Sequence, residues 1–446
     1  MKQDLTKGSA FPVILRFTIP IIGGNLFQLF YTLADTVIVG RTLGPDALAA
    51  VGSTGTVIYF ILCFIQGFTG GLGVILGQRF GARDGDGMRR SIAVSLVLCV
   101  LSTVLITGVV CPLSHQILSW MNTPDQIGDM AYDYMLVVLL GTGATIYYNM
   151  ISNILRAMGD SRTPLYFLLF SSVLNIALDL LFILPFQMGV AGAAWATVIS
   201  QLLAALLSNL VGYIRFDPLH IKAQDFLRMK QDVAAHLKLG LPMGLQMSIM
   251  CIGQLAMQSS VNALGASAIA GYTAATKVDQ VSVLVNNAFG MSIANYTAHN
   301  YGAGLFGRIR KGVRASLIQT ESTNLFLCCM ILLLKSRVVP LFVDQPTAEI
   351  IQYAKDYLIV VAPFYLFLGL LSVYRSAIQS MGNGKAPFLA CIVELVMRVF
   401  SSLILSGLWG YYAICFATPL AWLGAVTVLV PVYYRSKCFR APSLHP

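Results

Sequence analysis

The chain has 446 residues, 57% hydrophobic and 11% charged, with a formal net charge of +10 and a mean hydropathy of +0.75. Soluble domains carry about a quarter charged residues, so this composition excludes a water-soluble globule with a polar coat and makes the bilayer the solvent. In hydrocarbon the backbone must satisfy itself within helices or a closed barrel. Barrel strands alternate with period two, and the long unalternated apolar runs here predict helices instead.

Twelve candidate spans, each near the ~20 residues that cross hydrocarbon, fall at about 13–39, 47–77, 91–112, 131–155, 164–185, 187–213, 236–263, 267–298, 314–334, 354–380, 387–408 and 411–434. The first is too long for a signal-peptide core and lacks a small-residue cleavage site, so a retained helix is predicted. With the N-terminus inside, the cytoplasmic side carries Lys2, Lys7, Arg16, Arg79, Arg83, Arg89, Arg90, Arg156, Arg162 and Arg215, with further Lys and Arg in the second half. The opposite side holds only Arg41, Lys335, Arg337 and Lys355. This positive-inside bias predicts both termini in the cytoplasm. The excess charge orients the chain and leaves no nucleic-acid footprint.

In chain order, the first span carries Asn25, Gln28, Thr32 and Asp35 three or four residues apart, which forms one polar stripe. Pro20 precedes it and predicts a kink. In the second span Gly73, Gly77 and Gly81 are four apart, the spacing of close helix packing. The fifth span places Ser171, Asn175 and Asp179 on one face. If the two stripes meet, two carboxylates, an amide and hydroxyls share one dry pocket. A proton, a Na⁺ or a cationic substrate would each relieve the repulsion between the carboxylates, which is the physics of an antiport site. The same stripes can instead hold helices together by hydrogen bonds. An unpaired carboxylate in lipid is poor glue, and this favours function for Asp35 and Asp179.

Residues 214–238 read as a cytoplasmic, amphipathic linker, with residues 1–213 as an N-lobe and 239–446 as a C-lobe. The seventh span has Gln254, Gln258 and Asn262 on one face, no acid, and several methionines including Met250. Gln28, Thr32, Ser171, Gln254, Gln258 and Met250 are the expected cavity lining, since methionine adapts to varied ligand shapes. Lys277 and Asp279 are two apart and do not face each other on a helix. In the eleventh span Glu394 and Arg398 are at i and i+4, an orientation suited to a structural ion pair. Arg375 has no partner in the sequence and could reach the interface or Glu394.

The second half repeats the first about 222 residues later. Gly77-Gln78-Arg79-Phe80-Gly81-Ala82 matches Ala298-His299-Asn300-Tyr301-Gly302-Ala303. Arg156-Ala157-Met158-Gly159-Asp160 matches Gln379-Ser380-Met381-Gly382-Asn383, and Pro20 falls on Pro242. Six spans per repeat make the repeats parallel in the membrane. The expected fold is therefore an all-α integral membrane protein of twelve transmembrane helices in two pseudo-symmetric six-helix lobes. No GxxxxGK[ST] loop, HExxH or Ser/His pair lies within a span, so neither ATP hydrolysis nor an intramembrane enzyme is expected. The nine cysteines show no CxxC or His/Cys ligand spacing, and no metal or cofactor is predicted from them.

The stretch Asn25-Leu26-Phe27-Gln28-Leu29-Phe30-Tyr31-Thr32-Leu33-Ala34-Asp35 resembles the first helix of the MATE (multidrug and toxic compound extrusion) transporters. So do Gln78 to Ala82, Arg156 to Asp160, Asn175 to Asp179 and Gly192-Ala193-Ala194-Trp195-Ala196-Thr197, in order over essentially the whole chain. The resemblance implies a two-lobed exporter driven by Na⁺ or H⁺. It also implies that Asp35, Asn175 and Asp179 are the N-lobe cation site of the DinF-like branch. The NorM branch places acids on spans 7 and 10. Here the span 7 position is Met250 and span 10 has no acid beyond Asp356 at its entrance, a departure that speaks against a C-lobe Na⁺ site.

The function expected from these features is secondary active antiport. Small amphipathic, cationic compounds are exported in exchange for H⁺ or Na⁺ by a monomer in the cell membrane. The alternative is a flippase for a lipid-linked precursor, which would want a cavity rich in Arg and Lys. A sensor or scaffold would need an appended soluble domain.

Overall fold

The computed structural model describes residues 4–121, 123–338, 340 and 347–440. Lys2 and the two chain ends lie outside the described residues. Among those described, all regular structure is helical. The first half contains α1 (Ala10–Leu43), α2 (Pro45–Gly81), α3 (Gly85–Val110), α4 (Ser114–Trp120), α5 (Asp125–Leu140), α6 (Thr142–Ala157), α7 (Arg162–Ile183), α8 (Gly189–Arg215) and α9 (Ala223–Leu227). The second contains α10 (Lys230–Asn262), α11 (Ala266–Gly302), α12 (Phe306–Val338), α13 (Ala348–Val361), α14 (Tyr365–Ser380), α15 (Lys385–Val399), α16 (Ser406–Trp409), α17 (Tyr411–Tyr434) and α18 (Lys437–Arg440).

Among the described residues, ten helices or continuous helix runs are long and apolar enough to cross a membrane, and the α5–α6 pair, bent by 43°, makes an eleventh if it is one span. The remaining predicted span, the eighth, is α11, which has 37 residues but interrupts its apolar surface with Thr273, Lys277, Asp279, Gln280, Asn286 and Asn287. Three predicted spans are broken. The fourth bends at Gly141, where an added Cβ would run into the Val198 side chain of α8. The tenth passes through a 3-10 turn at Ala362–Phe364, because Pro363 supplies no N–H for the helix ladder. The eleventh widens into a π-helical turn at Phe400–Leu405.

The chain forms two compact units. Unit 1 is Gly23–Gly244; unit 2 is Asp4–Ile22 together with Leu245 onward. The division runs through α1 and α10, rather than through the linker at 214–238. In unit 1, α10 begins tight against α2: a Cβ on Gly71 would lie 2.7 Å from Gly240 Cα, so only glycine permits this approach. Gly73, singled out by spacing, meets Asn153 at an ordinary 3.4 Å. The linker packs down through Phe216 and Leu219, both buried in the α2–α3–α6 core. Asp232 ties its end by pairing with Arg79 and, at 3.0 Å, with Arg90.

Unit 2 takes in the start of the chain. Asn300 Nδ2 donates to the Leu5 carbonyl at 3.1 Å, Arg308 Nη1 to Gly8 at 2.9 Å and Gln319 Nε2 to Phe11 at 2.7 Å. The repeat is visible in its turns. α6 and α14 each stop before a glycine with positive φ, Gly159 at 85° and Gly382 at 90°, a left-handed position that glycine occupies without strain. The next residue then caps the following helix. Asp160 Oδ1 accepts from Thr163 N at 3.0 Å, and Asn383 Oδ1 accepts from Ala386 N at 3.2 Å.

Candidate cation site

The polar centre of unit 1 is assembled from four helices. On α7, Ser171, Asn175 and Asp179 follow one another a turn apart and are buried, with Asn175 and Asp179 at 0% exposure. This face is turned inward because α7 packs along α8. From α1, Asp35 brings its carboxyl within hydrogen-bonding reach of Asp179. Asn175, with both ends of its amide satisfied, donates Nδ2 to Asp179 Oδ2 at 3.0 Å and accepts at Oδ1 from Thr197 Oγ1 of α8 at 3.1 Å. Tyr31, one turn before Asp35, also reaches Thr197, and Tyr134 of α5 stands in the field of both carboxyls. Val39, Ile183 and Val190 form an apolar cluster with Tyr134 at its edge.

One oxygen of each carboxyl, Oδ1 of Asp35 and Oδ1 of Asp179, is buried without a hydrogen-bond partner. Two like charges about 4 Å apart repel by roughly 4 kcal/mol at an effective dielectric of 20. The pair therefore needs a proton or a cation between its members. Sequence reasoning brought Asp35, Asn175 and Asp179 forward and missed Tyr31, Tyr134 and Thr197. Tyr31 could have been found from its i, i+4 relation to Asp35. Tyr134 had no signal, since α5 reaches the site only through folding.

The predicted lining residues are placed differently. Ser171 is buried beside the site, whereas Gln28, Thr32 and Gln254 are exposed on the surfaces of their units. Thr32 Oγ1 donates to the Gln28 carbonyl at 2.9 Å, within its own helix. The α1 stripe is thus exposed at Gln28 and Thr32 and partly covered at Asn25 and Asp35. Gln258 is half-buried and donates to Asn262 Oδ1 at 2.9 Å. Lys277 is exposed on α11.

Unit 2 corrects the expected Glu394–Arg398 pair. Glu394 pairs with Arg375 of α14, whose other amine lies 3.8 Å from Met250 Sδ. Two helices packed together bring Arg375 to Glu394 more directly than the i, i+4 spacing brings Arg398. Arg398 is 5% exposed and makes no direct ion pair among the described residues. It lies instead in the field of Asp279, which accepts from Tyr357 OH at 3.4 Å. Sequence reasoning also overlooked Glu321 on α12. Its carboxylate lies within the membrane-length part of the helix, beside Asn324, and Asn324 exchanges hydrogen bonds with Asn286 at 2.8 and 3.1 Å. Among the described residues, no group of three or more His, Cys, Asp or Glu could hold a metal ion.

Membrane-length helices repeated in two units, with ionisable groups buried inside each, are the build of secondary transporters, and a multi-pass membrane transporter is what this chain is. The family model that matches it, over residues 20–181 and 242–424, is MatE, and the chain belongs to this family. The probable multidrug resistance protein YpnP of Bacillus subtilis (strain 168) is 32% identical over 406 residues, covering 90% of this chain and 88% of that one. The probable multidrug resistance protein YoeA of the same organism is 26% identical, covering 94% and 93%. A crystal structure of MATE in complex with MaL6 superposes with a TM-score of 0.90 at 25% identity, covering 97% of this chain and 98% of that one.

Proposed function

We propose that the protein is a secondary active antiporter of the cell membrane that exports small amphipathic, cationic compounds in exchange for H⁺ or Na⁺. The observation that carries this reading is the Asp35–Asp179 pair, two carboxyls buried side by side with an unpartnered oxygen on each. Such a pair binds one cation at a time. Export follows if an external coupling ion displaces a cationic substrate and the two lobes then alternate in access. The names of YpnP and YoeA, both multidrug resistance proteins, support the substrate class.

Two like charges buried together favour H⁺ as the coupling ion. Asn175, hydrogen-bonded to Asp179 and Thr197, holds the Asp179 carboxyl in place. The absence of acid at Met250 supports kinship with the DinF-like branch. A lipid-linked pyrophosphate would want several free cations, whereas of the two arginines Arg375 and Arg398 the first is held by Glu394 and only the second is left without a direct ion pair among the described residues. The protein is proposed to act as a monomer with both termini cytoplasmic and without a cofactor.

The test uses purified protein in liposomes loaded with a fluorescent organic cation, under a pH gradient alone and then a Na⁺ gradient alone. Wild type is expected to move the dye under the pH gradient, and Asp35→Asn is expected to fail. Full export by folded Asp35→Asn would overturn the assignment.

A further inference from the structure

The repeat places a different set of side chains at the centre of unit 2. Shifted by about 222 residues, Asp35 falls on Met257, Tyr31 on Gly253, Tyr134 on Tyr357, Asn175 on Arg398 and Asp179 on Ser402. Thr197 falls on Thr418. Several of these residues also meet in unit 2. Thr418 Oγ1 lies 3.4 Å from Met257 Sδ. Arg398 passes over Gly253, where an added Cβ would be 3.2 Å from its Cδ and 3.5 Å from Nη1. The room that Tyr31 takes in unit 1 is thus left open at Gly253 for the guanidinium stem. Tyr357 keeps the position of Tyr134 and turns its hydroxyl to Asp279. Asp279 has no acidic counterpart in unit 1, where the related residue is Ile58.

Unit 2 therefore also buries an acid at its centre, with Asp279 8% exposed and one oxygen lacking a hydrogen-bond partner. It supplies its own positive charge, however, at the position related to Asn175. Of the other charged groups in unit 2, Arg375 is paired with Glu394, and Glu321 lies on α12 beside Asn324. Arg398 Nε has no hydrogen-bond partner among the described residues, so no direct pairing accounts for keeping this guanidinium inside the unit.

We propose that Arg398 is a built-in cation. In unit 2 its guanidinium takes the place that the coupling ion takes in unit 1. Asp279 thus stays neutralised throughout the cycle and binds no coupling ion. A guanidinium remains charged at any physiological pH and cannot leave, so the Asp279 carboxyl it neutralises cannot be loaded or unloaded. The inference rests on Asp35 and Asp179 being the coupling site.

The experiment measures the coupling stoichiometry from reversal potentials in proteoliposomes containing the fluorescent organic cation. Arg398→Gln bares Asp279 and is expected to add one coupling cation per substrate. Arg398→Lys keeps the charge and should keep the wild-type ratio. Arg398→Gln combined with Asp279→Asn removes both charges and should also return to it. An unchanged ratio in folded Arg398→Gln, beside an inactive Asp35→Asn, overturns the built-in cation alone. Gradient-driven transport surviving in Asp35→Asn overturns the unit 1 site, whatever Arg398→Gln does. If Arg398→Gln does not fold, thermal unfolding of the double variant decides. A double variant that folds and melts cooperatively supports neutralisation of Asp279 by Arg398, and a double variant that also fails to fold overturns it.

Discussion

Units 1 and 2 share a backbone plan and differ in the charge at their centres. Unit 1 sets Asp35 against Asp179 with no cation in contact. Unit 2 puts Met257 and Ser402 at the related positions, draws its acid from α11 and places Arg398 nearby. The turns hardly differ: Gly159 and Gly382 both take positive φ, and Asp160 and Asn383 cap the next helix alike. Backbone positions that need glycine or a cap are held by local sterics, which tolerate few residue types. Interior charge is carried by single side chains, and a helix pair accepts either sign provided it is balanced. The division of labour between the units therefore rests on a handful of substitutions within a common frame.

The largest expected effect breaks the comparison on the unit 1 side. Asp179→Asn should lower gradient-driven transport by at least about tenfold, the equivalent of about 1.4 kcal/mol, with the helical circular-dichroism signal unchanged. Wild-type transport by that variant would make the two centres functionally alike. Next comes Glu394→Gln in unit 2, which leaves Arg375 buried without its partner. The cost expected is about 3–5 kcal/mol, seen as a lowered Tm in detergent; an unchanged Tm would mean that the Arg375–Glu394 pair does not hold α14 to α15.

Gly71→Val tests the framework of unit 1, because the new side chain would meet the Gly240 backbone. Overpacking of this kind is expected to cost about 1–3 kcal/mol, and a variant as stable as wild type would show that α2 and α10 need no close approach. Thr32→Ala should change stability by no more than about 0.5 kcal/mol, as the threonine is exposed and its hydroxyl bonds within α1. A large loss of transport without loss of stability would sharpen the contrast by adding the exposed end of the α1 stripe to the working site.

The sequence by itself determined that the protein is helical, lies in a membrane, repeats once and sets an acid in the polar stripe of each of spans one and five. Those properties follow from composition, run length and i, i+4 spacing, which act over a few residues and need no knowledge of neighbours. Asp35, Asn175 and Asp179 were legible for that reason, since an ionisable group in an apolar helix stands out locally. Tertiary structure decided the rest. It chose Arg375 over Arg398 as the partner of Glu394, because packing between helices outweighs spacing along one. It brought Tyr134 and Thr197 to the carboxyl pair from helices far off in the chain. It also exposed Gln28 and Thr32 while covering Asp35, a distinction among residues of one stripe that depends on where α7 and α8 end up.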